Sequence, residues 1–254
     1  MFLILSKETD SYSVNRLKEE IMKKNQGEKE EYECEIETPF NFYAFLSSSD
    51  RGRDRIYKRG EEKSEKLKAK DYAAIIPRIA GEITFEYGCL IVQHFNENMN
   101  IFSTGTEYGL RICSNKFKNA QFLSRHHIRT PKQIISHQPT DYKELIDLVD
   151  GLPCVGKLQR GSLGDGVMLL ETELAASTSL KSFEKLGADT ILQKYIDTGK
   201  PANDIRVFVI GAEKKEPKIF AYKRYSLDND FRSNYTKSKL GEKISITDEE
   251  KEMA

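Results

Sequence analysis

Lys157 is the only charged residue in the apolar run CVGKL (154–158), and Gly161, Gly164 and Gly166 follow it in QRGSLGDG before a second apolar run, VMLL. An ammonium buried without a partner is costly, so a lone lysine in such a run favours a functional role over a structural one. Glycines let the backbone approach a ligand closely and turn its N–H groups toward anionic oxygens. Phosphate is the chemistry this combination suits. Two familiar phosphate loops do not fit. The P-loop, G-x-x-x-x-G-K-[ST], needs its lysine after the last glycine, whereas Lys157 precedes all three. The dinucleotide fingerprint needs G-x-G-x-x-G followed by a helix. Here the order is G-x-x-G-x-G, and VMLL, apolar without helical spacing and led by a β-branched residue, predicts a strand. The loop then joins two strands and lies as a flap over its ligand, with Lys157 supplying a point charge beside it. An ordinary glycine-rich hairpin is the alternative.

A second set of candidates lies downstream. DIRVFVIG and FAYKRY alternate like neighbouring strands; Arg206 shares a face with Phe208 and Ile210, and Arg224 shares one with Phe220 and Tyr222. Cations among apolar neighbours either snorkel at an edge or line a site. His126 and His127, at a helix end, read as solvated last-turn residues. Cys34, Cys89, Cys113 and Cys154 are scattered without C-x-x-C spacing, which suits free thiols in a reducing cytoplasm and gives no zinc pattern with the four histidines.

These residues need a scaffold, and 254 residues provide for one large domain or a few small ones. Forty basic residues balance forty acidic ones, which argues against nucleic-acid binding through bulk charge. The opening MFLILSK is too short for a signal peptide or a membrane span and reads as a buried strand. A helix follows with Val14, Leu17 and Ile21 inward and Ser13 as its N-cap, so an α/β layer is expected. Residues 26–70 are charge-rich, with FYAF and RIYKR as short strands; acids interrupt the basic segment around RIYKR, so a solvated hairpin is expected there rather than a basic binding patch. YAAIIPRI reads as a buried strand ending at Pro77, and Asn96–Gly109 as a linker. Helices are predicted over SNKFKNAQFLSRHH, with Phe117, Ala120 and Leu123 inward; over TDYKELIDLVDGLP, with Tyr142, Leu145, Ile146 and Val149 inward and Asp141 with Glu144 as a capping box; and around Leu180–Leu186, closed by Gly187. TILQKYI, DIRVFVIG and KIFAYKRY read as strands, and Thr247 with Glu250 as a capping box.

In this order along the chain, ILSKETDSYSVNRLKE, IIPRIAGEITFEYG, SNKFKNAQFLSRHHIRTP, KLQRGSLGDGVMLLET, ILQKYI, NDIRVFVIG, YKR, DFRSN and SITDEEKEMA resemble the ATP-grasp superfamily and, within it, the RimK-type carboxylate–amine ligases. The resemblance implies an ATP-grasp fold of α+β lobes behind an N-terminal pre-ATP-grasp α/β domain. Its expected bounds are 1–112 for that domain, 113–190 for the first lobe with the flap, and 191–254 for the second lobe. It implies an enzyme that uses ATP with magnesium or manganese to add glutamate, or a similar amino acid, to a protein C-terminus or small-molecule carboxylate. Lys116 and Lys157 would hold the nucleotide together with the flap residues Gly161, Ser162, Gly164 and Gly166. Gln193, Lys194 and Tyr195 would form the hinge that reads adenine, with Lys194 standing where many relatives have Glu. Asp204 would accept from ribose hydroxyls, with a strand-start cap as its bland alternative. Arg206 and Arg224 would face the transferred phosphate and the acceptor carboxylate. Arg232, Ser233 and Asn234 would touch nucleotide and substrate. A cytoplasmic protein with no membrane or nucleic-acid partner is expected.

Relatives carry magnesium ligands late, as an aspartate and then Glu-x-Asn. That pattern is not found up to Ala254, so no metal ligand is assigned and the last part of the second lobe is expected to be missing. Two readings stay open: a ligase, complete or completed by a C-terminal segment in trans, and a degenerate or split ATP-grasp protein that binds nucleotide or a partner without catalysis.

Overall fold

The computed structural model describes residues 1–24, 32–47, 55–60, 63–79, 82–137, 142–159, 165–212, 214–227, 230–233 and 239–254. The chain forms two compact units, Met1–Cys113 and Ser114–Ala254.

The first unit is built on a parallel sheet in the order β2-β1-β6, with β1 at Phe2–Ser6, β2 at Cys34–Glu37 and β6 at Ala74–Arg78. Phe2–Leu5 of β1 are all apolar because both faces of the strand are covered. Leu3 and Leu5 pack with Phe42, Ile56, Ile75, Ile91 and Phe95, while Ile4 packs with Val14 of helix α1 (Tyr12–Lys23). Each such fully buried aliphatic side chain contributes roughly 1.5–3 kcal/mol. Ser11, not Ser13, holds the N-cap position of α1, and Ser13 lies within its first turn. β6 runs one residue past Pro77, a placement an edge strand tolerates. Helix α2 (Glu82–Gln93) continues into a π-helical turn, His94–Asn98. The expected linker Asn96–Gly109 is therefore ordered: Ile101 is buried, and the amide of Ile75 donates to Phe102 O at 2.9 Å. An apolar residue in reach of a strand edge outweighs the local turn signals. Helix α3 (Glu107–Ser114) begins within that stretch. An antiparallel meander, β3 (Phe42–Phe45), β4 (Arg55–Lys58) and β5 (Glu65–Leu67), completes the unit.

The second unit contains a four-stranded antiparallel sheet in the order β7-β10-β8-β9, formed by Gln133–Ser136, Thr190–Lys194, Cys154–Leu158 and Val167–Leu170. Helix α4 spans Lys116–Arg125. Helices α5 (Tyr142–Leu148) and α6 (Glu173–Lys185) cover one face of the sheet, packing Ile146, Val149, Ala176 and Leu180 on Cys154, Leu170 and Leu192. α6 starts well before the expected Leu180, because the Thr172 hydroxyl caps it by accepting from Ala175 N at 3.2 Å. Asp141, the proposed cap of α5, lies outside the described residues. A second antiparallel sheet has the order β11-β12-β13, formed by Asn203–Ile210, Lys218–Tyr225 and Gly241–Ile244. The chain then enters helix α7 (Asp248–Met253) through the capping box of Thr247 and Glu250. Among the described residues no helix is long and apolar enough to cross a membrane.

Candidate nucleotide site

Strand alternation sorts β8 into two faces. Cys154 joins the helix-packed core, and Lys157 points to the opposite side. Lys157 is in register with Ile191 of β10, so Gln193, two residues on, lies diagonally across the same face. Lys157 Nζ donates to Gln193 Oε1 at 2.7 Å. Burial lowers the pKa of Lys157, and the charge of Lys116 lowers it further. Lys116 opens α4, whose cap is the Asn115 side chain accepting from Lys118 N at 2.9 Å. That cap aims Lys116 back at β8, where its Nζ donates to Leu158 O at 2.9 Å; burial lowers its pKa as well. Among the described residues Lys157 faces no carboxylate. Two partly desolvated ammoniums, one of them further disfavoured by the other, have the chemistry that suits an anion.

The glycine loop joins β8 to β9 as a hairpin, in line with its composition. Leu158 N donates to Gly166 O at 2.9 Å, closing the loop at its base. Gly166 has φ +67° and a Cβ there would stand 2.7 Å from Leu158 Cδ1, so glycine is required for both reasons. Gly161, Ser162 and Gly164 lie outside the described residues.

Gln193 and Lys194 go to opposite faces of β10. Lys194 therefore leaves the side of Lys157: its Nζ pairs with Asp150 Oδ2 at 2.8 Å, and Lys132 takes the other oxygen at 2.6 Å. The Lys194 amide donates to Lys132 O at 2.9 Å. Tyr195 follows the strand and is half-buried.

On the second sheet Asp204 is in register with Arg224, and Arg206 with Tyr222, which places both arginines on one face. Arg224 Nε donates to Asp204 Oδ1 at 2.8 Å and its Nη2 bonds Oδ2, so the carboxylate is spent on a two-pronged pair that raises the pKa of Arg224. Asp204 therefore acts as an ion-pair partner of Arg224 rather than as a strand-start cap. Arg206 is exposed and has no ion-pair partner among the described residues. Arg232 donates through Nε and Nη2 to Asp230, each at 3.0 Å, and Asp165 at the end of the flap adds a weaker attraction. Asp230, the first residue of DFRSN, is given no role by the sequence; the structure makes it the partner of Arg232. Ser233 is half-buried, and Asn234 lies outside the described residues.

Residues 113–254 match the RimK-like ATP-grasp domain, and residues 1–110 match the RimK pre-ATP-grasp domain. The chain belongs to the RimK-like ATP-grasp family. It is 34% identical over 251 residues to the "Probable alpha-L-glutamate ligase 1" of Shewanella sp. (strain MR-4), covering 99% of this chain and 76% of that protein. The "Probable alpha-L-glutamate ligase" of Aliivibrio salmonicida gives the same figures. Among solved structures, D-alanyl-alanine synthetase A from Vibrio cholerae superposes with a TM-score of 0.65 at 12% identity, covering 100% of this chain and 77% of that one. A RimK domain ATP-grasp protein from Sphaerobacter thermophilus gives 0.56 at 16% identity, over 87% and 72%. These structural likenesses establish the fold. The RimK-like family uses ATP and a divalent metal. The lysine pair suits the triphosphate. Among the described residues no three His, Cys, Asp or Glu side chains converge, so no protein ligand set for magnesium or manganese is assigned and no step below passes through one.

Proposed function

We propose that this RimK-like protein is an ATP-dependent carboxylate–amine ligase that adds glutamate to a protein C-terminus or a small-molecule carboxylate through an acyl-phosphate. The observation that carries the reading is Lys157, a partly desolvated cation beside Lys116 whose partner is an amide, with no carboxylate facing it among the described residues. In this reading Lys157 and Lys116 hold phosphate oxygens and lie on the open side of the glycine hairpin. Arg232, held by Asp230, adds its charge to the phosphates. Arg224, fixed by Asp204, and Arg206 hold the acceptor carboxylate in line with the γ-phosphate. A carboxylate oxygen attacks that phosphorus and ADP leaves. The glutamate amine then attacks the acyl carbon, the amide forms, and inorganic phosphate leaves with one former carboxylate oxygen. The chain contributes position and positive charge where negative charge accumulates, which is how phosphoryl transfer is accelerated. The test is mass spectrometry of peptide and small-molecule acceptors after incubation with ATP and glutamate. One added glutamyl residue per ADP supports the reading; glutamate addition without ATP, or with AMP as product, contradicts it.

A further inference from the structure

The basic segment around RIYKR has no part in the nucleotide site, and its interspersed acids predict a plain solvated hairpin. The meander sorts those charges by face. Inward go Phe42, Ile56 and Leu67, all buried, with Lys58 clamped to Glu35 and, at 2.8 Å, to Glu37 of β2. Glu65, in register with Lys58, belongs to that same inner face. Outward go Tyr43, Tyr57 and Lys66, in register as one row across the three strands, with Phe45 and Arg55 as the next row. The rings of Phe45 and Tyr57 meet edge-on with centroids 6.5 Å apart. The amide of Arg59 still bonds Asn41 O at 2.7 Å, so strand alternation carries Arg59 to the outer face too.

The result is a β-sheet face of aromatic and cationic side chains with no carboxylate on its described strands. Tyr43 and Phe45 stay 39% and 45% exposed, more aromatic surface than a solvated face needs. Arg55, Arg59 and Lys66 have no ion-pair partner among the described residues, and tyrosine with arginine is the composition enriched where proteins bind partners. We propose that this face docks an extended acidic polypeptide. Arg55 and Arg59 stand about 13 Å apart along the direction of β4, and an extended chain presents side chains on one face at that same spacing every four residues. A polypeptide is the occupant we choose because the side-chain repeat of an extended chain matches the spacing of Arg55 and Arg59 on this face. The proposal goes beyond the ligase reading and does not depend on it.

Fluorescence anisotropy of the full chain with labelled oligo-glutamate, oligo-glutamine and oligo-uridine tests it. Oligo-glutamate should bind, and rising salt should weaken it. Oligo-glutamine and oligo-uridine should bind far less. The Arg55→Ala/Arg59→Ala double variant should lose about tenfold in affinity, and Lys66→Glu should act in the same direction. Lys157→Met should leave peptide binding unchanged, which separates this proposal from the nucleotide site. Equal binding by oligo-glutamine, tighter binding by oligo-uridine, no peptide binding, or full affinity in both meander variants would overturn it.

Discussion

Replacing Lys157 with methionine keeps the aliphatic stem and removes the charge. In the unliganded protein that charge is a burden: it is partly desolvated, repelled by Lys116, and offset by one 2.7 Å bond to the Gln193 amide. Losing that bond, whose donor is charged, costs about 1.5–3 kcal/mol, and removing a desolvated, repelled charge offsets it. The variant should therefore melt close to the parent. ATP binding should behave otherwise, because a charge-assisted hydrogen bond to phosphate is worth about 1.5–3 kcal/mol. Affinity should fall roughly ten- to hundredfold. Calorimetric titration with ATP, paired with thermal melts, reads both quantities. Unchanged affinity would refute the assignment of Lys157 to phosphate. A lower melting temperature with intact affinity would make it a structural lysine.

The titration of Lys157 adds a pH signature. Its folded pKa lies below 10.5, so folding disfavours the charged form; that penalty is complete below the folded pKa and fades as pH rises toward 10.5. ATP affinity has the opposite dependence, being lost as pH rises through the lowered pKa, and Lys157→Met should flatten that part of the calorimetric profile. Asp204→Asn should lower stability in urea by about 1 kcal/mol or less, since the Asp204 side chain is 41% exposed, and the difference should shrink at high salt; a larger, salt-independent loss would contradict a screened ion pair. Gly241→Ala would place a Cβ 2.7 Å from Lys223 O, forcing β13 away from β12 at the partner of Arg224. It should cost about 1–3 kcal/mol, seen as a melting shift of about 2–4 °C per kcal/mol, and a neutral effect would contradict the register.

Period and composition alone make the hairpin around the glycine loop legible. Lys157 between apolar residues, followed by glycines and then by VMLL, requires two strands and a turn, and β8 and β9 pair as expected. The closing capping box of Thr247 and Glu250 is equally local and equally readable. What the sequence lacks is cross-strand register. Arg206 and Arg224 each show a face, but only the pairing of Asp204 with Arg224 puts them on the same one. The same pairing spends Asp204 on an ion pair. The ion pair of Lys194 is hidden because its partner, Asp150, lies far away in sequence. Residues 55–67 look like a charge mixture because sequence order interleaves what the pleat separates, with Lys58 and Glu65 on one side and Arg55, Tyr57 and Lys66 on the other.

The central claim is that an acceptor carboxylate is phosphorylated by ATP before the amide forms. Its most direct test uses an acceptor whose carboxylate oxygens carry heavy oxygen, incubated with the protein, ATP and glutamate, with mass analysis of the phosphate products. The account predicts one heavy oxygen in each inorganic phosphate released, in step with amide formed and ADP produced. Heavy oxygen in AMP, or amide formation with none in inorganic phosphate, would contradict it.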